Sequence, residues 1–230
     1  MTQLFPCDRF PEDAGAARLS GLYPQRQEGR WMQRLKNPGG VLSPADWRSV
    51  AALAREFTPD TPLHLTTRED IEFHNVSEAQ VPTLQARLAE VGLTGRGACG
   101  DTLRNLTVCP CSGVLAGSVD LHPLAQQLEA AILAFEGIYA MPRKFKITLA
   151  CGDGCGRPWI NDLGLIATRN AAGEIGFRVI VAGSLGAKPG TGLLLHEWLA
   201  PQDVLPLAMG LIELFAANGD RENRRKARLR

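Results

Sequence analysis

Long apolar runs are missing from this chain. The first twenty residues, MTQLFPCDRFPEDAGAARLS, mix acids, bases and two prolines with no apolar stretch. Neither a secretory signal nor a membrane span is readable there, so the expectation is a cytoplasmic protein with no membrane partner. An excess of charge is missing too: Lys plus Arg is 25, Asp plus Glu is 24, and the net charge is +1. Nothing in that balance attracts nucleic acid or an anionic surface globally, so nucleic acid is not an expected partner and any basic site must be local. Internal repeats and low-complexity segments are absent as well. The chain has six cysteines, and in a large, cytosolic-looking sequence these read as free thiols or as metal or cluster ligands rather than a disulfide framework.

What is present is enough apolar residue, 45% of 230, to bury a real core in one large domain or two small ones packed together. Residues 1–29 carry Pro6, Pro11 and Pro24 without periodicity and read as an extended arm. From Arg30, RWMQRLK alternates like a half-buried strand, Asn37-Pro-Gly-Gly marks a turn, and Ser43-Pro44 opens a helix to about Phe57. In PLHLTTREDIEFHNV the apolar residues Leu63, Leu65, Ile71 and Phe73 suit strand pairing interrupted near Arg68, and a helix follows from about Ser77 to Val91. That order describes a ferredoxin-like half, a small α+β layer. Gly97 to Gly117 reads as a connecting loop and His122 to Glu136 as an amphipathic helix. Strands are expected over Phe145–Ala150, Leu163–Thr168 and Phe177–Ala182, with a hairpin turn at Asn170–Gly173. A covering helix runs from Gln202 to Asn218 and stops at Gly219. The tail DRENRRKARLR then holds six cationic side chains.

Four polar or basic islands stand at strand ends or in loops: TTRED with Arg68, CGDTLRN with Arg104 and Asn105, PRKFK with Arg143, Lys144 and Lys146, and NDLG with Asn161. In a strand, Lys144 and Lys146 project from the same face, because successive side chains alternate. Two ammonium groups side by side favour an anion. Taken singly, each island is also what an ordinary solvated surface looks like. His64 and His74 flank Arg68 and read either as the lining of a polar pocket or as satisfied strand histidines.

The order of these islands resembles the first repeat of the siroheme-dependent, ferredoxin-type nitrite and sulfite reductases. The likeness runs through GLYPQRQEGRWMQRLKNPGG, LHLTTREDIEFHNV, VGLTGRGACGDTLRNLTVCP, MPRKFKITLACGDGC, INDLGLIA, GFRVIVAGSLG and GDRENRRKARL, in the family's order and at similar spacing. It implies an α+β protein with a ferredoxin-like half-domain followed by an α/β siroheme-binding domain of the nitrite/sulfite reductase type. The implied divisions are an arm at 1–29, the half-domain at 30–97, the siroheme-binding domain at 98–219 and a basic tail at 220–230, read as a connector.

The resemblance also implies roles. Arg68, Arg104, Lys144 and Lys146 would bind nitrite or sulfite and carry the catalysis. Arg68, Arg104, Asn105, Arg143 and Asn161 would hold siroheme, whose many carboxylates suit such donors. An electron donor such as ferredoxin is implied. Guanidinium groups grip oxyanions through paired hydrogen bonds, and ammonium groups supply potential and protons as oxygen leaves as water.

For a [4Fe-4S] cluster, in this chain or a partner, the candidate ligands are Cys151, Cys155, Cys111 and Cys109. Cys151 and Cys155 have the three-residue gap of the family's second cysteine pair, whereas Cys99, Cys109 and Cys111 match its first pair poorly. A structural zinc at the same four cysteines is an alternative. Family members hold two repeats, so a second-repeat subunit or a self-dimer is the implied partner. A non-catalytic module that binds siroheme or another tetrapyrrole, and a precorrin-modifying enzyme, are the competing readings.

Overall fold

A computed structural model describes residues 10–230 apart from 12 and 187. The chain divides into two compact units, 1–100 and 101–230. Of the segment expected as an extended arm, residues 1–9 and 12 lie outside the described residues. Within the rest, Ala14–Leu19 forms a short helix, α1, capped by the Asp13 carboxylate, and Leu22–Pro24 forms the edge strand β1.

In the first unit, strands β2 (Arg30–Leu35), β3 (His64–Leu65) and β4 (Ile71–Ser77) join β1 in one sheet of order β1-β2-β4-β3. All pairings are antiparallel, so β2 and β3 run the same way with β4 between them. Helix α2 (Pro44–Phe57) makes that crossover, giving the split βαβ unit of a ferredoxin-like half. Its start was legible: the Ser43 hydroxyl accepts from the Asp46 N–H, the Asp46 carboxylate accepts from the Ser43 N–H, and Pro44 stands at the first helical position. Such a cap contributes about 1 kcal/mol. With α3 (Val81–Glu90), α2 buries Val50, Leu53, Phe57, Leu84 and Leu88 against Leu35, Ile71, Phe73 and Val76 of the sheet.

The second unit is built on a five-stranded sheet, β5 (Thr107–Val108), β6 (Ile147–Ala150), β7 (Leu163–Arg169), β8 (Ile175–Val181) and β9 (Leu193–Leu199), in sequential order. β5, β6 and β7 are parallel neighbours, and β8 and β9 continue antiparallel. Strand β6 is buried along its whole length. Ile147 and Leu149 enter the main core with Leu128 and Ile132 of α4 (His122–Leu133) and with Ala208, Ile212 and Phe215 of α5 (Pro201–Asn218). Ala150 turns to the other face, where it meets Ile166, Ile180 and Cys155. Helix α5 ends at Gly219 as expected, though not through left-handed backbone: its φ is −65°, and a Cβ there would lie 2.6 Å from Cγ of Pro142.

The basic tail is exposed over residues 221–226 and packs at its end. Ala227 is buried and Leu229 packs against the core of the second unit.

Candidate functional site

Parallel pairing decides where the cysteines meet. Thr107 lies opposite Thr148 and Val108 opposite Leu149, so the residues leaving the C-terminal ends of β5 and β6, Cys109 and Cys151, emerge side by side. The Cys109 N–H donates to the Leu149 carbonyl at 2.9 Å, and the Cys151 N–H donates to the Cys109 sulfur at 3.2 Å. The Gly152-Asp153-Gly154 turn then returns Cys155, whose sulfur lies 3.6 Å from that of Cys151. Thr148 Oγ1 donates to the Gly156 carbonyl at 2.8 Å and ties this loop beneath the strand. Gly156 has φ 74° and passes so close to the sheet that a Cβ would lie 3.0 Å from Cβ of Ala150, which leaves glycine as the residue that fits.

The result is three free thiols, at Cys109, Cys151 and Cys155, whose sulfurs all lie within 4.8 Å of one another. They sit outside the carboxyl ends of parallel strands, the general location of ligand sites in open α/β sheets. Burial pushes the Cys109 thiol up, but hydrogen bonds from the Cys155 and Cys151 thiols and from the backbone N–H groups of Cys151 and Cys111 bring it below its ordinary value. Cys151 moves the other way, pushed up to about 12 by burial and then by hydrogen bonding and charge from Cys109 and Cys155. Burial and Cys109 likewise raise Cys155. Cys109 is therefore the thiol that ionises first, while its neighbours hold their protons. Cys111 contributes its N–H, but its sulfur is not one of the three gathered atoms.

The cationic group lies at the opposite end of β6. Phe145 bridges Leu103 in parallel, its N–H donating to the Thr102 carbonyl at 3.0 Å while the Arg104 N–H donates to the Phe145 carbonyl at 2.8 Å. That pairing sets Arg104 and Asn105 alongside Lys144 and Lys146. The four residues of β6 lie between Lys146 and Cys151, five steps along the chain and so roughly 16 Å at about 3.3 Å per residue. PRKFK and CGDGC thus belong to two ends of one strand.

Asp162 organises the cations. It is 1% exposed, it accepts from the Lys146 N–H at 2.9 Å, and Nη2 of Arg228 reaches both of its carboxylate oxygens at 2.8 Å. Burial pushes its carboxyl up against the pull of Arg228. Asp101 is shared by Arg143 at 3.4 Å and Arg224 at 2.8 Å. Burial, then Arg104 and Arg228, hold the Lys144 amine below its ordinary value, opposed by Asp101 and Asp162. Of the remaining expected ligands, Asn105 is fully buried, and Asn161, also buried, donates to the Arg157 carbonyl at 2.9 Å. Arg68 lies in the first unit, in the turn joining β3 to β4, where its N–H donates to Thr66 Oγ1 at 3.2 Å.

Arg228, Asp101 and Asp162 were missed from the sequence. The tail's charge masked its packing, yet Ala227 and Leu229 alternate with cations there, and that alternation was the available signal.

Residues 23–91 match the family model described as the nitrite/sulfite reductase ferredoxin-like half domain, and residues 99–230 match the one described as the nitrite and sulphite reductase 4Fe-4S domain. The assimilatory ferredoxin-dependent nitrite reductase of Haloferax mediterranei is 36% identical over 228 residues, which cover 91% of this chain and 39% of that protein. The chloroplastic ferredoxin–nitrite reductase of Arabidopsis thaliana is 32% identical, with 91% and 37% covered. The sulfite reductase (NADPH) hemoprotein beta-component of Acidithiobacillus ferrooxidans is 32% identical, with 87% and 41% covered. The chain thus spans about two fifths of the length of these relatives. Among solved structures, the Mycobacterium tuberculosis NirA protein matches with a TM-score of 0.82 at 25% identity, over 92% of this chain and 42% of that one. Dissimilatory sulfite reductase I shares the fold at a TM-score of 0.70 and 13% identity, over 87% and 65%.

Proposed function

This chain belongs to the nitrite/sulfite reductase family, and from that premise we propose that it serves the siroheme-dependent, multi-electron reduction of nitrite or sulfite, to ammonia or sulfide. The observation that carries this reading is the pairing, at the two ends of β6, of three converging thiols with a group of cations around Asp162.

The thiols suit an iron–sulfur cluster in the character of their donors. They are soft sulfurs, partly buried, and two backbone N–H groups point at the Cys109 sulfur, the kind of hydrogen bond that tunes such a centre. A cubane takes four cysteines. Cys109, Cys151 and Cys155 would supply three, and Cys111, on the same loop as Cys109, is assigned the fourth. When bound, siroheme and cluster supply the electron chemistry.

The chain's own residues do the rest. Arg104 grips anionic oxygen with its fork of N–H donors, and Arg68 is assigned the same kind of role. Lys144 and Lys146 add positive potential, and the weakened hold of Lys144 on its proton suits it to deliver that proton to oxygen leaving as water. Asn105, Arg143 and Asn161 are assigned to the macrocycle's carboxylates. Ferredoxin is the proposed electron donor, and a further repeat of the family is the proposed companion.

The test is expression with siroheme available, alone and with any companion repeat, followed by absorption spectra and analysis of iron and acid-labile sulfide. Siroheme bands together with labile sulfide are expected, and Cys109→Ser, Cys151→Ser and Cys155→Ser should each abolish the sulfide. A folded chain that takes up neither siroheme nor iron in either setting overturns the proposal. One observation favours a second reading, a non-catalytic tetrapyrrole-binding module: among the described residues only three sulfurs converge. That reading predicts siroheme bands without labile sulfide or turnover.

A further inference from the structure

The first unit carries a second group of donors that the proposed reduction does not use. β4 lies between β2 and β3, and the two antiparallel registers place Arg34 opposite Glu72 on one side and His64 opposite Glu72 on the other. His74 follows two residues along β4 and so shares that face. Arg34 occupies one carboxylate oxygen, Oε1, with Nε at 2.8 Å and Nη2 at 2.6 Å. The other oxygen, Oε2, accepts from both imidazoles, His64 Nδ1 and His74 Nε2, each at 2.9 Å. The two ring nitrogens and Oε2 lie within 4.8 Å of one another.

Several features make this more than a surface cluster. Glu72 is 4% exposed and anchored by Arg34, whereas His74 is half-buried and His64 is exposed. Both imidazoles line a cavity of about 560 Å³, together with Gln25 and Asn75, so solvent and ions reach the nitrogens without disturbing the core. The rings are 5.7 Å apart between centroids and tilted by 49°, so they do not stack and their nitrogen edges converge on one point. Burial pushes the Glu72 carboxyl up, but hydrogen bonds from His74, Arg34 and His64 and the Arg34 charge leave it below its ordinary value, so it is ionised at neutral pH.

We propose that His64, Glu72 and His74 form a binding site for a divalent cation of the zinc class. Two imidazoles and a carboxylate, with further positions open to water, are a zinc donor set, and a Glu already held by an Arg has the outer-shell support such ligands use. In the cation-free state each ring nitrogen donates a proton to Oε2. Binding replaces those two protons with the metal and moves each ring's proton to its other nitrogen, or to solvent if the ring was charged. At His74 the contact that must loosen is the one from Gln25 Nε2 to Nδ1, which is already long at 3.5 Å.

The test is a zinc titration of the reduced, ¹⁵N-labelled chain, read through the imidazole resonances of its four histidines. The expected result is that the His64 and His74 signals move and change tautomer together, while His122 and His196 stay in place. Equilibrium dialysis complements it. The thiols bind zinc too, but they are common to the parent and to a His64→Ala/His74→Ala variant, so the difference between the two isolates this site. One zinc fewer per variant chain is expected. Static His64 and His74 signals at tenfold excess zinc overturn the proposal, as do equal shifts across all four histidines or equal zinc content in parent and variant. The NMR arm needs no substitution, so it decides even if the variant does not fold.

Discussion

Asp162→Asn removes one charge from the ion pair that seats the tail and changes almost no volume. Asp162 is 1% exposed on its side chain and Arg228 15%, and the guanidinium reaches both carboxylate oxygens at 2.8 Å. Removing one partner of a buried pair costs about 3–5 kcal/mol, because the other charge is left buried without compensation. The residual access of Arg228 to water, and the relief of the burial cost that pushes the Asp162 carboxyl up, bring the expected loss below that range, to about 2–3 kcal/mol. With a urea slope of about 2.5 kcal/mol/M, the midpoint of the second unit should fall by roughly 1 M. Unfolding at neutral pH, followed by a probe in that unit, measures it. Asp162→Asn combined with Arg228→Gln should be less destabilised than the two single losses added together, since both charges then leave at once. A single-variant loss below about 0.5 kcal/mol, or strict additivity in the double variant, would refute the reasoning.

Three further predictions follow the same logic. Glu72 has its folded pKa held below the unfolded value of 4.5, so the stability it contributes is fully present above that pH and is lost as pH falls through the folded value. Acid unfolding monitored in the first unit should therefore show a shallower pH slope in Glu72→Gln, and an unchanged slope would contradict the assignment. Gly219→Ala would place a Cβ 2.6 Å from Cγ of Pro142 and 2.8 Å from the Phe215 carbonyl, both on rigid atoms. It should cost about 1–3 kcal/mol, seen as a Tm lowered by about 2–4 °C per kcal/mol, and an unchanged Tm would remove the packing explanation for that glycine. Metal binding by the thiols must displace protons from Cys151, whose pKa is about 12, and from Cys155, so affinity should rise steeply with pH, with proton release measurable in weak buffer. A pH-independent affinity would place the metal elsewhere.

Local signals made much of the architecture readable. Ser43, Pro44 and Asp46 announced α2 because a cap is written in adjacent residues, and Asn170–Gly173 closed the β7–β8 hairpin for the same reason. The fold class followed from that order of elements. β5 was hidden because two residues, Thr107 and Val108, carry no period and exist as a strand only through pairing with β6. β9 was hidden because Leu193, Leu194 and Leu195 break alternation, and its pairing with β8 shifts register twice. The convergence of Cys109 with Cys151 depends on parallel register between segments some forty residues apart, which spacing alone does not reveal. Cys155 was readable from the Gly-rich turn, whereas the separation of the thiols from the lysines came only with the length of β6. Arg228 was obscured by its own neighbours, since a run of cations looks solvated until one of them finds a buried carboxylate.

The central claim is that the cations at the N-terminal end of β6 serve oxyanion reduction. Its most direct test is the rate of nitrite and of sulfite consumption by the siroheme-loaded chain, with its companion repeat, under a reduced electron donor, compared with a folded and equally siroheme-loaded Lys144→Gln/Lys146→Gln variant. Loss of positioned proton donors should lower the rate by about 10²–10⁴-fold while the siroheme spectrum is retained. An unchanged rate in that variant would contradict the account.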